Sequence, residues 1–149
     1  MRVAIGCDHG GIALKSACME ALEELGIDYI DEGTYTEESV DYPDYAGKVC
    51  QMVLSGEVDK GILLCGTGIG MAIAANKFKG IRCAHVTDEY CAQMAIEHNN
   101  ANVLAMGGRI TSPEQAKRYV KRFFTSTFAG SRHQRRVDKI IALENKELK

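Results

Sequence analysis

The sequence predicts an α/β fold, a three-layer αβα sandwich built on a five-stranded, parallel, doubly wound (Rossmann-like) sheet. Two observations predict it. Apolar, strand-like segments alternate with helix-like segments along all 149 residues, which is typical of a parallel sheet covered on both faces. No linker, repeat or low-complexity segment interrupts the alternation, so residues 1–149 are predicted to form a single domain.

The first half of the chain contains three predicted strands and three predicted helices. Apolar residues recur at helical spacing over residues 12–25, and Gly26 is placed to end that helix. Short apolar runs bounded by polar residues or glycine predict the strands. The strands are expected at Arg2–Cys7, Asp28–Asp31 and 60–64, and the helices at 12–25, 45–54 and 69–77.

The second half continues the same alternation. Ser112 and Gln115 are spaced as a capping box, and Pro113 stands at the first helical position, so a long helix is expected to begin there. Strands are expected at 81–86 and 102–106, and further helices at 89–98 and 135–146.

The composition excludes several classes of partner. The formal net charge is −2, which does not favour binding to nucleic acid or to an anionic membrane, and no apolar run is long enough to span a bilayer. The chain starts on a predicted strand and not on a signal peptide, so a cytoplasmic protein is expected. The six cysteines lack Cys-x-x-Cys or zinc-ligand spacing, which indicates reduced thiols and no metal site.

The segment Cys65-Gly66-Thr67-Gly68-Ile69-Gly70 is the strongest candidate for a functional site. It joins a predicted strand to a predicted helix, an arrangement that points backbone N–H groups at an anion. A thiol beside such an anion hole can take a proton while the loop holds the resulting charge. The segment lacks the lysine of a P-loop and the spacing of a dinucleotide fingerprint, so nucleoside triphosphates and NAD are poorly supported.

Other polar residues follow predicted strands or end a helix. Asp8-His9 follows the first strand, Arg109 follows the fifth, and His98-Asn99 ends the helix after the fourth. Ligands of doubly wound sheets bind at the carboxyl ends of the strands, so all of these are expected at one edge of the sheet. Asp8 could instead cap the first helix, and His98 could simply suit a helix C-terminus.

Three further features have both an ordinary and a functional interpretation. Arg132, Arg135 and Arg136 could form a solvated basic turn, or Arg132 and Arg136 could bind a phosphate from one helix face. Residues Ile69–Ala75 of the predicted helix are apolar nearly all round, so this part must be buried inside the domain or against a second subunit. Tyr42-Pro43 falls in a predicted loop at 33–44, which could cover the site.

These residues together resemble the ribose-5-phosphate isomerase B family, which includes the galactose-6-phosphate isomerase subunits. The resemblance runs along essentially the whole chain. It is carried by Gly6-Cys7-Asp8-His9-Gly10, Asp41-Tyr42-Pro43, Cys65-Gly66-Thr67-Gly68-Ile69-Gly70, Ala74-Ala75-Asn76-Lys77, His98-Asn99, Asn102-Val103-Leu104 and Arg132-His133-Gln134.

The resemblance implies an aldose–ketose isomerase that uses neither metal nor cofactor. It implies interconversion of D-ribose 5-phosphate and D-ribulose 5-phosphate through ring opening and a cis-enediolate, in the pentose phosphate pathway. The family is usually a homodimer or a dimer of dimers with shared active sites, and the C-terminal helix is expected to pack the subunits.

The resemblance also implies roles for individual residues. Cys65 is expected to be the base, with Thr67 near the ring oxygen, His98 donating a proton for ring opening, and Asp8 relaying protons between O1 and O2. One branch of the family has a glutamate base at the position of Met71, so this chain falls in the cysteine branch. The phosphate is expected on His9, Arg132 and Arg136, with Arg109 and Asn99 contributing from the partner subunit. Tyr42, Gly66, Gly68, Ile69 and Gly70 complete the expected substrate contacts.

Three alternatives remain open from the sequence. The substrate could be a six-carbon sugar phosphate such as allose 6-phosphate or galactose 6-phosphate. Galactose-6-phosphate isomerases pair unlike subunits that each lack part of the catalytic set, whereas this chain carries Cys65, Thr67 and His98 together. A sugar-phosphate or nucleotide binding module would not need Cys65 and His98 together, and a redox role is weakened because Cys65 has no resolving thiol nearby in sequence.

Overall fold

The computed structural model describes residues 1–146 and contains one five-stranded parallel sheet with the strand order β2-β1-β3-β5-β4. The strands are β1 (Arg2–Cys7), β2 (Asp28–Asp31), β3 (Lys60–Cys65), β4 (Cys83–His85) and β5 (Val103–Gly107). The helices are α1 (Ile12–Glu24), α2 (Tyr42–Leu54), α3 (Ile69–Ala75), α4 (Glu89–Glu97), α5 (Pro113–Thr125) and α6 (Arg132–Glu144). The predicted fold class is confirmed.

The strand order places the switch point of the sheet between β1 and β3. The chain leaves β1 for β2 on one side and then returns to β3 on the other. Cys7 of β1 pairs with Leu64 of β3, and Cys65 pairs with Gly107 of β5, so these three strands end side by side. The segments that follow them are therefore neighbours, as expected for a ligand-binding edge.

Two apolar cores lie on the two faces of the sheet. Along β3, Ile62 and Leu64 point into the core that includes residues of α1, α4 and α5. Leu63 and Cys65 alternate with them and point into the core that includes residues of α2 and α3. The thiol of Cys65 is therefore on the α2/α3 face, at the last position of its strand.

Several helix and strand ends differ from the sequence-based prediction. Helix α2 begins at Tyr42, so Tyr42-Pro43 belongs to its first turn and not to a loop, and the loop is limited to 33–41. Proline fits there because the first helical N–H groups have no intrahelical partner. Helix α6 begins at Arg132 and ends at Glu144 instead of covering 135–146, and β4 is shorter than predicted.

Two predicted end signals are confirmed. Gly26 follows α1 with φ +70°, a conformation that favours glycine. The Ser112 hydroxyl accepts a hydrogen bond from the Gln115 amide, and the Gln115 side chain accepts one from the Ser112 amide. Among residues 1–146, none of the helices combines the length and the hydrophobicity that crossing a membrane requires.

Candidate active site

Glycines let the segments after β1, β3 and β5 approach one another at backbone distance. A Cβ atom at Gly11 would lie 2.3 Å from the carbonyl carbon of Leu64, and one at Gly107 would lie 2.5 Å from that of Thr67. Neither position has room for a side chain, because contacts this short are repulsive. The close approach brings the residues after β1 and β5 up to the Cys65 loop.

The result is an open cleft of about 420 Å³ at the carboxyl edge of the sheet, which we call the carboxyl-edge cleft. Its floor is formed by the ends of β1 and β3, and its walls by α2, α3 and the segment after β5. Eight of the candidate residues named from the sequence line it together with Ile73. The lining residues are Asp8, Tyr42, Cys65, Gly66, Thr67, Ile69, Gly70, Ile73 and Arg109.

Cys65 has a hydrogen-bond donor directed at its sulfur. The backbone N–H of Gly68 donates to Sγ at 3.1 Å, and Gly68 adopts φ +83° in the turn that aims it there. The N–H of Ile69 donates to Oγ1 of Thr67 at 3.2 Å. An N–H donor of this kind can stabilise an oxyanion that forms in the cleft.

Other thiols in the chain have environments that keep them protonated. Burial raises the pKa of Cys7 and of Cys50 to about 11, and that of Cys18 to about 12. Cys83 has a raised pKa for the same reason. These four thiols therefore serve as small apolar core groups at neutral pH.

Asp8 and His9 occupy the turn between β1 and α1. Oδ1 of Asp8 accepts hydrogen bonds from the N–H groups of Gly10 (2.8 Å) and Gly11 (3.1 Å), so Asp8 stabilises the turn, and Gly11 is the residue that caps α1. Nδ1 of His9 accepts a hydrogen bond from the N–H of Val40 at 3.2 Å. Because Nδ1 accepts, the proton of a neutral His9 ring is on Nε2, which is thereby a donor.

Tyr42 and Arg109 limit the cleft on two sides. A Cβ atom at Gly70 would lie 2.7 Å from the Tyr42 ring, so that ring packs directly on α3. A Cβ atom at Gly66 would lie 2.7 Å from a guanidinium nitrogen of Arg109, so this cation covers the Cys65 loop of its own protomer. This position differs from the expectation that Arg109 reaches the site from a partner subunit.

His98 and Asn99 lie at the opposite edge of the sheet, which corrects the expectation that they gather with Cys65. Helix α4 runs back from the carboxyl end of β4, so its last residues lie where the strands begin. The Asn99 carbonyl accepts a hydrogen bond from the Arg82 side chain just before β4 (3.0 Å), and the Asn102 carbonyl accepts one from the N–H of Gly61 (3.0 Å). Cys65 is four residues beyond Gly61 along β3, which is about 13 Å of strand.

Arg132 and Arg136 accompany His98 at this amino edge. The rings of His98 and His133 are stacked with centroids 4.1 Å apart, and His133 belongs to the first turn of α6. Burial and the nearby His98, Arg132 and Arg136 lower the pKa of His133. We call His98, Asn99, Arg132, His133 and Arg136 the amino-edge cluster; it is electropositive and its two arginines are exposed.

Two residues that the sequence did not single out lie at or near the candidate site. Nε2 of His85 is 2.7 Å from the carbonyl oxygen of Thr67 and must be the donor, because a carbonyl oxygen only accepts. His85 ends β4, so the strand-end rule already applied to β1, β3 and β5 would have found it. Lys15 is buried behind the loop at 33–41, and its helical position in α1 contained no functional signal.

A thiol beside backbone N–H donors, at the carboxyl edge of a parallel sheet, is the arrangement of an α/β enzyme. Comparison with known proteins identifies the class of enzyme. The chain belongs to the Ribose/Galactose Isomerase family, whose model matches residues 3–140. It is accordingly an isomerase.

Individual relatives cover nearly the whole chain. Ribose-5-phosphate isomerase B of Escherichia coli is 47% identical over 145 residues, which are 97% of each chain. The structure of ribose-5-phosphate isomerase B from Clostridium thermocellum superposes with a TM-score of 0.94 at 48% identity and covers 97% of each chain. D-erythrulose-4-phosphate isomerase of Pectobacterium atrosepticum is 40% identical and covers 99% of this chain and 97% of its own.

Proposed function

We propose that this protein interconverts D-ribose 5-phosphate and D-ribulose 5-phosphate, in the cytoplasm and in the pentose phosphate pathway, with Cys65 as the base. The observation that carries the proposal is the hydrogen bond from the Gly68 N–H to Sγ of Cys65 within the carboxyl-edge cleft. The names of the Escherichia coli and Clostridium thermocellum relatives support ribose 5-phosphate as the substrate.

The proposed reaction moves one proton between two carbons. After ring opening, the Cys65 thiolate removes the proton on C2, and the electron pair moves onto the carbonyl oxygen to form a cis-enediolate. The thiol then returns the proton to C1, while Asp8 moves a proton between O1 and O2. Backbone N–H groups of the Cys65 loop stabilise the enediolate charge, which develops within the reach of Gly68 and Gly70.

Met71 stands where the other branch of the family has its glutamate base, and a methionine cannot act as a base, so Cys65 is the remaining candidate. Met71 is fully buried in the core between the sheet and α2/α3, and its thioether has no proton to exchange. Oδ1 of Asp8 already accepts two backbone hydrogen bonds, which hold its side chain in one orientation and suit it to the oxygen-to-oxygen transfer instead of to removal of the C2 proton. Thr67, at the mouth of the cleft, is exposed and can reach the ring oxygen.

We further propose that the enzyme is a homodimer, or a dimer of dimers, whose active sites combine two protomers. The carboxyl-edge cleft supplies Asp8, Cys65, Thr67 and Arg109, and His9 follows Asp8 in the adjoining turn. Ring opening requires an acid and the phosphate requires further cations, and these are supplied by the amino-edge cluster of the other protomer. His98 of the partner subunit is the acid, and Asn99, Arg132 and Arg136 of the partner subunit complete the phosphate site together with His9 and Arg109.

The exposed apolar residues of α3 and α6 support this assembly. Ile69 and Ile73 of α3 are 51% and 59% exposed, and Ile140 and Leu143 of α6 are 44% and 56% exposed. Helix α3 runs from the cleft towards the amino edge. In a twofold dimer with α3 packed antiparallel on its copy, the cleft end of one α3 faces the amino-edge end of the other. That geometry brings each cleft to the partner's cluster.

The direct test is conversion of ribose 5-phosphate to ribulose 5-phosphate in EDTA by wild type, Cys65→Ala and a matched thiol control, Cys91→Ala. Cys91 is exposed on α4, so its loss removes a thiol without opening a cavity. Turnover should survive chelation and Cys91→Ala, and should fall roughly 10²- to 10⁴-fold in Cys65→Ala, as for loss of a general base. Near-normal turnover of Cys65→Ala would refute the role of Cys65.

The length of the substrate is tested by comparing kcat/KM on four-, five- and six-carbon sugar phosphates. The Pectobacterium relative, named for a four-carbon sugar phosphate, makes this comparison necessary. The Tyr42 ring packed on Gly70 closes one side of the cleft, so we expect the five-carbon substrate to be preferred over six-carbon ones. A higher kcat/KM on either of the other lengths would replace ribose 5-phosphate as the substrate.

A further inference from the structure

Lys15 is a buried cation close to the candidate site but outside it. Its side chain is 11% exposed, and Nζ lies 3.0 Å from a carboxylate oxygen of Asp31. Nζ also donates to the Thr34 carbonyl at 2.7 Å and lies 4.7 Å from the centre of the Tyr35 ring. A lysine is rarely buried unless it is paired, and the contacts with Asp31 and the Thr34 carbonyl hold Lys15 in one position.

The groups around Lys15 anchor the start of the loop at 33–41. Asp31 accepts a hydrogen bond from the N–H of Gly33 (2.9 Å), and the Tyr35 hydroxyl donates to the Asp31 carbonyl (2.7 Å). The Thr34 N–H donates to the carbonyl of Cys7 (2.7 Å), the residue immediately before Asp8-His9. Lys15 therefore connects the loop to the end of β1.

The same loop contacts His9. Residues 35–39 are exposed, and the next residue, Val40, donates its N–H to Nδ1 of His9. This hydrogen bond selects the tautomer in which Nε2 carries the proton and can donate to an anion. A loop that moved away would leave the imidazole free to populate the other tautomer.

We propose that Lys15 is a positioning residue for His9, acting through the loop at 33–41. By pairing with Asp31 and the Thr34 carbonyl, Lys15 keeps the Val40 N–H on Nδ1 and so presents the Nε2–H of His9 to the phosphate of the substrate. The inference rests on the proposed phosphate role of His9.

The primary test compares Lys15→Met with Lys121→Met. The first removes the cation but keeps an apolar chain of similar length, and the second removes a cation from a surface ion pair with Glu24. Long-range ¹H–¹⁵N spectra of the histidine side chains, recorded at a pH at which imidazoles are neutral, report the tautomer, and the His9→Ala spectrum assigns the His9 signals. We expect a single Nε2–H tautomer in wild type and Lys121→Met, and a mixture in Lys15→Met.

Binding of inorganic phosphate gives the second readout. Lys15→Met should weaken it about three- to tenfold, the effect of losing one oriented hydrogen bond, whereas Lys121→Met should not change it. In a double-mutant cycle, Lys15→Met should cost little in a His9→Ala background, because both changes remove the same contact. Additive losses, or an unchanged tautomer in Lys15→Met, would overturn the proposal.

Two controls separate the ways in which the test can fail. Should Lys15→Met not fold, Tyr35→Ala replaces it: Tyr35 is 68% exposed, and its loss removes the ring over Nζ and the hydroxyl bond to Asp31. A tautomer mixture in Tyr35→Ala supports the proposal, and a single tautomer overturns it. If phosphate binding is insensitive to His9→Ala, the phosphate role of His9 fails, and the tautomer spectrum alone decides whether Lys15 positions the ring.

Discussion

Mixing two inactive variants should restore activity if each active site combines two protomers. Cys65→Ala removes the proposed base from every carboxyl-edge cleft and leaves the amino-edge cluster intact. His98→Ala does the opposite. In a hybrid dimer, one site contains both defects and the other contains neither, because the intact Cys65 of one chain meets the intact His98 of the other.

The expected magnitude follows from the geometry and from random pairing. Cys65 lies at the end of β3, while His98 lies beyond the start of the neighbouring strands, so at least about 13 Å separates them within a protomer. A proton donor and a base acting on one five-carbon sugar cannot be that far apart. Equal mixing makes about half of the dimers hybrids, each with one intact site, so about a quarter of wild-type turnover should return.

The assay is coexpression of the two variants with different affinity tags, followed by purification on both tags and measurement of ribose 5-phosphate isomerisation. Purified hybrids should then reach about half of wild-type turnover per dimer. A matched control pairs Cys65→Ala with Thr67→Ala, which lie in the same cleft, so that neither site of the hybrid is complete. Hybrids of Cys65→Ala and His98→Ala that are no more active than this control would refute the shared site.

Three further predictions concern the packing and the surroundings of the cleft. Gly11→Ala should lower the free energy of unfolding by about 2 kcal/mol or more, because its Cβ would lie 2.3 Å from Leu64. Gly47→Ala should raise the free energy of unfolding by about 0.5–1 kcal/mol, because no atom lies nearer than 3.6 Å to its Cβ and alanine favours a helix more than glycine does. Urea unfolding measures both changes. Folding lowers the pKa of His133, so the unfolded chain binds a proton at this histidine before the folded protein does as the pH falls below about 6.5. The free energy of unfolding of wild type should therefore decrease with falling pH in this range, and that of His133→Gln should decrease less. An equal pH dependence of the two free energies would contradict this prediction. His85→Ala removes the hydrogen bond to the carbonyl of Thr67, and it should lower kcat about three- to tenfold with a smaller change in KM. Unchanged kinetics would exclude a role of His85 in positioning the Cys65 loop.

The sequence was sufficient to predict the fold class and one half of the candidate site. Strand and helix periodicity is a local property, and the rule that parallel sheets bind ligands at the carboxyl ends of strands is a consequence of topology. Together they place Asp8, Cys65 and Arg109 at one edge, and these residues do line one cleft. The start of α2 was missed because Pro43 ends most helical patterns but is tolerated in a first turn.

The positions of His98 and Asn99 were predicted wrongly, and the reason is also physical. A helix that follows a parallel strand must run back across the sheet, so the end of such a helix lies at the edge where strands begin. His98 ends α4, and the strand-end rule does not apply to it. The contacts of Lys15 and the tautomer of His9 depend on a loop that folds back onto β1, and no periodic pattern encodes such a contact.

In the proposed dimer, the separation of the carboxyl-edge cleft from the amino-edge cluster makes catalysis depend on assembly. A protomer alone has the Cys65 thiol and its N–H donor at the carboxyl edge and a stacked histidine pair with two arginines at the amino edge, and its own sheet keeps them apart. Ile69 lines the cleft and Ile73 lies one turn further along α3, and both side chains are more than half exposed. Burying them against a second copy gives the apolar driving force for a dimer. Because α3 also forms a wall of the cleft, the contact that stabilises the proposed dimer is the one that completes the proposed site.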